Sequence, residues 1–205
     1  MGETAGIPMK RLLPLLAALA AFLSLSAADA PGLVNGNPPD IKTLKVGDTA
    51  PDFDLPGIDG KNHKLAEYAG GKALVVLFTS NHCPTSHSIE KRLQKFYDEY
   101  KAKGVKLLAI NPNHPDGLSK DELGYGEFGD SFAEMKPYAE KNKWTFDYLY
   151  DGDKQLIARA YGCLATPHVF IFDANLKLRY AGRFDDSRFY DDSTVKSKDA
   201  QNAVD

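Results

Sequence analysis

Cys83 is one of only two cysteines in 205 residues, and it lies in the stretch "FTSNHCPTSHSIEKRL". It sits between His82 and Pro84, where an apolar run gives way to a charged, helix-patterned segment. Pro84 suits the first position of a helix, which makes Cys83 the N-cap. Unpaired backbone N–H groups and the positive end of the helix dipole converge there and stabilise a thiolate, the nucleophilic form of cysteine. His82 and His87 can add positive charge nearby, although a histidine next to a cysteine in sequence usually points elsewhere. The second thiol, Cys163, lies in "YGCLATP", four residues before Pro167. It is a candidate to resolve Cys83 through a disulfide and equally a candidate for a small buried apolar side chain.

A thiol beside histidines also raises metal binding. His82, His87, His114 and His168 are four of the five histidines, and a soft thiolate with imidazoles suits copper. A non-catalytic or copper-binding protein using Cys83 and nearby histidines is therefore the alternative to an enzyme, and the main reading includes no metal.

The segments around Cys83 must bring it to a surface and back it with a core. "KALVVLFT" is a continuous β-branched run between Gly70-Gly71 and Ser80-Asn81, as expected of a strand covered on both faces. Ile89, Leu93, Phe96, Tyr97 and Tyr100 then recur at helical spacing until Gly104. "VKLLAI" reads as a second buried strand, followed by a long Gly/Pro/Asp-rich loop from Asn111 to Asp130, with Tyr125 and Phe128, of a length that often covers a site. "SFAEMKPYAEKNK" reads as a helix, "TFDYLY" as a strand and "DKQLIARAYG" as a short helix. "HVFIFD" and "LKLRYAG" read as strands joined at Asp173-Ala174-Asn175. Ahead of them, "APDFDLPGIDGKNHKL" alternates around Asp59-Gly60 as a short hairpin, and "VKSKDAQNAVD" reads as the start of a last helix or a tail. Asp185 and Asp186 in "GRFDD" read as a solvated turn. The order is a βαβ unit followed by an antiparallel pair. With right-handed crossovers this gives an α/β thioredoxin fold, a central mixed sheet flanked by helices, with an N-terminal hairpin extension.

Composition is that of a globular protein, 43% hydrophobic and 26% charged, with a net charge of −3 and no basic cluster that favours nucleic acid. The N-terminus differs. Lys10 and Arg11 precede "LLPLLAALAAFLSLS", and small residues follow at Ser26, Ala27, Ala28 and Ala30, the pattern of a secretory signal. The expected organisation is a signal peptide over residues 1–30, a linker over 31–45, a redoxin domain over 46–190 and the helix start or tail over 191–205. The expected location is periplasmic or secreted, without stable membrane association once the signal is removed. Both cysteines remain in a compartment where disulfides persist.

The blocks "VGDTAPDFDLPGIDGK", "VVLFTSNHCP", "LYDGDKQLIARAYG", "ATPHVFIFD" and "YAGRFDD" occur in the same order as in the peroxiredoxin-like redoxins, the thioredoxin-fold family that includes alkyl hydroperoxide reductase and thiol-specific antioxidant proteins. This resemblance implies an antioxidant thiol oxidoreductase with Cys83 as nucleophile, no organic cofactor, a peroxide or protein disulfide as substrate and an external thiol as reductant. It also marks departures. Dithiol relatives carry C-x-x-C, and here the second position is Ser86; others read C-N-H-C-P, and here the first position is Ser80. Peroxiredoxins place a hydroxyl residue where Ser80 stands, but their proline falls at Val76 and their arginine at Pro167, with Arg179 or Arg183 as candidate substitutes. Thr166-Pro167 instead resembles the cis-proline pair of thioredoxins, which implies that Pro84, Thr166 and Pro167 shape the substrate site.

Overall fold

The computed structural model describes residues 41–118, 121 and 126–205. The expected signal peptide, most of the linker and Tyr125 lie outside them. A long apolar run with little alternation has to be buried on both faces, and β3 (Ala73–Phe78) obeys this: each of its six residues is buried. It is the middle strand of a five-stranded sheet of order β5-β4-β3-β6-β7. β4 (Val105–Asn111) runs parallel to β3, and β5 (Asp147–Tyr150) runs parallel to β4. β6 (His168–Asp173) is antiparallel to β3, and β7 (Leu178–Gly182) is antiparallel to β6. The hairpin at Asp59-Gly60 forms a separate pair, β1 (Asp54–Pro56) with β2 (Asn62–Lys64). This arrangement is the mixed sheet of a thioredoxin-like fold.

The two faces of the sheet carry separate cores. α1 (Pro84–Tyr100) lays Ile89, Leu93, Phe96 and Tyr100 against the odd-numbered side chains of β3 and β4, and α2 (Phe132–Lys141) adds Met135, Tyr138 and Ala139. The opposite face joins Leu74, Val76 and Phe78 to the hairpin residues Phe53 and Leu55, and to Ala158 and Tyr161 of α3 (Leu156–Tyr161). Each such large apolar side chain contributes roughly 1.5–3 kcal/mol on burial. α4 (Asp199–Val204) returns Ala200 and Val204 to the α1 face.

Two glycines end helices where the chain must turn through positive φ. Gly104 (φ 86°) ends the short turn after α1 and leads into β4. Gly162 (φ 69°) ends α3, and a Cβ there would lie 2.4 Å from the Thr43 Cα, so backbone approach as well as conformation requires glycine. The next residue is Cys163.

The "GRFDD" turn is not solvated as the sequence suggested. Asp185 is buried and paired with Arg92 of α1, while Asp186 accepts from the backbone N–H groups of Lys196 and Ser197. Local sequence does not show this burial, because the partner of Asp185 lies 93 positions away along the chain.

Candidate active site

β3 ends at Phe78, and the segment 79–83 crosses its carboxyl edge before Pro84 opens α1. Cys83 has extended backbone angles (φ −71°, ψ 118°), so it is the N-cap, and its side chain makes no capping bond to the helix. The first turn contains no acidic residue to compete for the exposed N–H groups. The thiol is half-buried and donates to the Thr166 carbonyl oxygen at 3.3 Å. The Thr166–Pro167 peptide is cis. Ser80, fully buried, shares a hydrogen bond of 3.2 Å between its hydroxyl and that of Thr166. Ser80, Cys83, Thr166 and Pro167 thus meet at one end of the sheet, with Pro84 exposed beside them.

Cys163 makes a different set of contacts. Both cysteines are free thiols. The Cys163 sulfur donates to the Ala165 carbonyl at 3.2 Å, and the side chain packs on the α3 face of the sheet. Burial pushes its thiol up to about 12, with Asp151 adding to the effect. It lines a cavity of about 180 Å³ that also reaches Thr166, Gln155 and Arg159. Ser86, in the position of the second thiol of a C-x-x-C pair, is buried, and its hydroxyl has no hydrogen-bond partner among the described residues.

The two arginines considered as substitutes are held elsewhere. Arg179 pairs with Asp173 at 2.6 Å, at the end of β6 that faces the start of β3 and away from Cys83. Arg183 pairs with Asp199 at the start of α4. The histidines are likewise engaged: His82 with Asp130, His87 with the Asn81 carbonyl, and His114 with the Asp116 N–H. His168 packs against Phe170, and burial holds its imidazole below the ordinary range. Among the described residues, no group of three or more His, Cys, Asp or Glu side chains is arranged to hold a metal ion.

One residue beside Cys83 is not marked by any local sequence pattern. Asp130, completely buried, accepts from the Asn81 backbone N–H at 2.7 Å and pairs with His82 Nδ1 at 2.6 Å. It stands directly before the capping pair Ser131 and Glu134.

The class defined by this sheet and by a thiol facing a cis-proline loop is the thioredoxin-fold redoxin, and solved structures agree. The hypothetical protein SMc02350 from Sinorhizobium meliloti 1021 is 32% identical with a TM-score of 0.69, over 80% of this chain and 84% of that one. A putative thiol:disulfide interchange protein DsbE from Chlorobium tepidum shares the fold at 22% identity and a TM-score of 0.58, over 80% of this chain and 100% of that one. Residues 46–181 match the AhpC/TSA family, and the chain belongs to it. It is 28% identical over 136 residues to the thiol-disulfide oxidoreductase ResA of Geobacillus thermodenitrificans, covering 66% of this chain and 68% of ResA. It is 31% identical over 113 residues to the peroxiredoxin Bcp of Escherichia coli, covering 55% of this chain and 62% of Bcp.

Proposed function

We propose that this family member is a thiol-disulfide oxidoreductase in which Cys83 is the only nucleophile and the second thiol comes from outside the chain. The observation that carries the reading is the 3.3 Å contact between the Cys83 sulfur and the Thr166 carbonyl. A backbone carbonyl beside the thiol offers an acceptor to an extended chain that carries a disulfide. The Cys83 thiolate attacks one sulfur of the substrate disulfide. A Cys83–substrate S–S bond forms, the original S–S bond breaks, and the departing thiolate takes a proton. An external thiol then attacks the mixed disulfide, releases Cys83 and leaves with the substrate sulfur as a new disulfide.

A peroxide would be reduced at the same sulfur, the O–O bond breaking to give a sulfenic acid and water or alcohol. Disulfide exchange is favoured because Pro167 occupies the peroxidase arginine position, while Arg179 and Arg183 are paired with carboxylates. Ser80 and Thr166 supply the neighbouring hydroxyl groups. The proposed catalytic unit is residues 46–190. The proposed setting is extracytoplasmic, on the strength of the Lys10-Arg11 pair, the apolar run and the small residues after it. No helix among the described residues is long and apolar enough to cross a membrane.

The test is mass spectrometry after one equivalent of a small model disulfide, and separately after one equivalent of hydrogen peroxide, with a Cys83→Ser control. The expected product is a mixed disulfide on Cys83 with Cys163 free, formed faster than any sulfenic acid. A Cys83 that reacts no faster than in the urea-unfolded chain would defeat the proposal.

A further inference from the structure

Asp130 is a completely buried carboxylate whose charge must be met by donors, because an unpaired buried charge is costly. Three donors meet it, and two belong to the residues immediately before Cys83. The Asn81 backbone N–H donates to Oδ1 at 2.7 Å, His82 Nδ1 lies 2.6 Å from Oδ2, and the Asn113 amide donates to Oδ2 at 2.6 Å. The position of Asp130 is itself fixed. The Gly129 and Ser131 N–H groups on either side both go to Glu134 at the start of α2, and the Asp130 carbonyl accepts from Asn111 at the end of β4. Asn81 is held from two further sides. Its amide donates to the Gly129 carbonyl and its side-chain oxygen accepts from the buried Tyr148 hydroxyl.

A nucleophile one residue beyond such a clamp has little freedom. Rotation of the 81–82 backbone would move Cys83 off the N-cap and away from the Thr166 carbonyl, so its alignment depends on what holds Asn81 and His82. The thiol itself does not supply this restraint, since the hydrogen bond it makes is to Thr166.

We propose that Asp130 is a positioning residue for the Cys83 nucleophile, acting through the Asn81 N–H and the His82 imidazole. This rests on the reading of Cys83 as the nucleophile. Charge-assisted bonds to a buried carboxylate are stronger than neutral ones, and misplacing a reacting atom by a fraction of its contact distance costs rate steeply. Asp130→Asn conserves size but turns one oxygen into an NH₂ group. That group faces the Asn113 amide donor and reverses the hydrogen-bond demand on His82. Other ionisable groups facing the pair are Glu134, Tyr148 and Tyr150, which sense the Asp130 charge, and His87, which holds the Asn81 carbonyl.

The experiment measures the rate of Cys83 reaction with a small disulfide, as a function of pH, for wild type, Asp130→Asn, His82→Gln and the double variant, together with each melting temperature. The expected result is a loss of about tenfold in Asp130→Asn, a shifted pH midpoint, and a double variant no slower than Asp130→Asn because both act through one clamp. A lower melting temperature with the rate within twofold of wild type and an unshifted pH midpoint would reduce Asp130 to a structural residue and overturn the inference. Multiplicative losses in the double variant would also overturn it. If Asp130→Asn fails to fold, His82→Gln decides: slowed with a shifted midpoint supports the clamp, and unchanged refutes it. Slow variants beside a fast wild type leave both readings standing, fast variants beside a fast wild type sink this one alone, and a wild-type thiol no faster than in the unfolded chain removes both.

Discussion

Arg92 of α1 and Asp185 beyond β7 form a two-pronged ion pair, Nε to Oδ2 at 2.6 Å and Nη2 to Oδ1 at 3.1 Å, with both side chains nearly inaccessible. Arg92 also donates to the Phe189 carbonyl, so one guanidinium ties α1 to the segment after the sheet. Breaking one side of such a buried pair leaves an uncompensated charge. Arg92→Met is expected to lower unfolding free energy by about 3–5 kcal/mol. Paired replacement of Arg92 and Asp185 by apolar residues should cost much less. Urea titration of the single and the double variant beside wild type measures this, and equal losses in the two would contradict it.

Cys163 provides a prediction about labelling. With its thiol pushed up to about 12 by burial, it stays protonated at neutral pH and is a poor nucleophile. Iodoacetamide at neutral pH is expected to label Cys83 at least tenfold faster than Cys163. Cys163→Ala should leave the first reaction of Cys83 with a disulfide unchanged within about twofold. Equal labelling of both thiols would contradict a buried, protonated Cys163, and loss of turnover in Cys163→Ala would show that the resolving thiol lies within the chain.

Glu90 carries a pH prediction. Burial pushes its carboxyl up to about 8 against the opposing pull of Lys141, and the Tyr138 hydroxyl donates to it. The folded state therefore holds a proton that the unfolded chain releases near 4.5, the ordinary value of this carboxyl. The stabilising contribution is complete below that value and is lost as pH rises toward 8. Urea midpoints should fall between pH 5 and pH 8.5 in wild type and much less in Glu90→Gln, whose amide oxygen still accepts from Tyr138. Parallel pH curves for the two proteins would refute this.

Much of this could be read from the chain because it depends on neighbours in sequence. The unbroken apolar run of β3, the change to helical spacing at Ile89, the Pro84 that makes Cys83 an N-cap and the Gly104 stop are all local signals. Thr166-Pro167 was legible through resemblance. Asp130 and Asp185 were not, because what gives a buried carboxylate its place is a partner brought up by the fold, and His82 and Arg92 lie 48 and 93 positions away. Within the sequence each was one more acidic residue in a Gly- and Asp-rich turn. Cys163 was open for the same reason: spacing does not say which face of the sheet a side chain joins.

Ser86 supports a gain-of-function prediction. Its hydroxyl is buried, with no partner among the described residues, at the position three residues after Cys83. An unsatisfied buried hydroxyl costs roughly 1–3 kcal/mol, whereas a thiol tolerates such a site as a small apolar group. Ser86→Cys is therefore expected to be neutral or to stabilise the reduced protein by about 1 kcal/mol. Residues three apart at a helix start are neighbours, so oxidation should join Cys83 to the introduced thiol and leave Cys163 as the one free thiol. The variant would then reduce a model disulfide in a single encounter, with no mixed disulfide accumulating, because the new thiol attacks the adduct as it forms. Thiol counting and mass spectrometry after one equivalent of oxidant measure this. A persistent mixed disulfide on Cys83 with the introduced thiol still free would show that the buried site holds the second sulfur out of reach, and that restoring the residue type does not restore the dithiol mechanism.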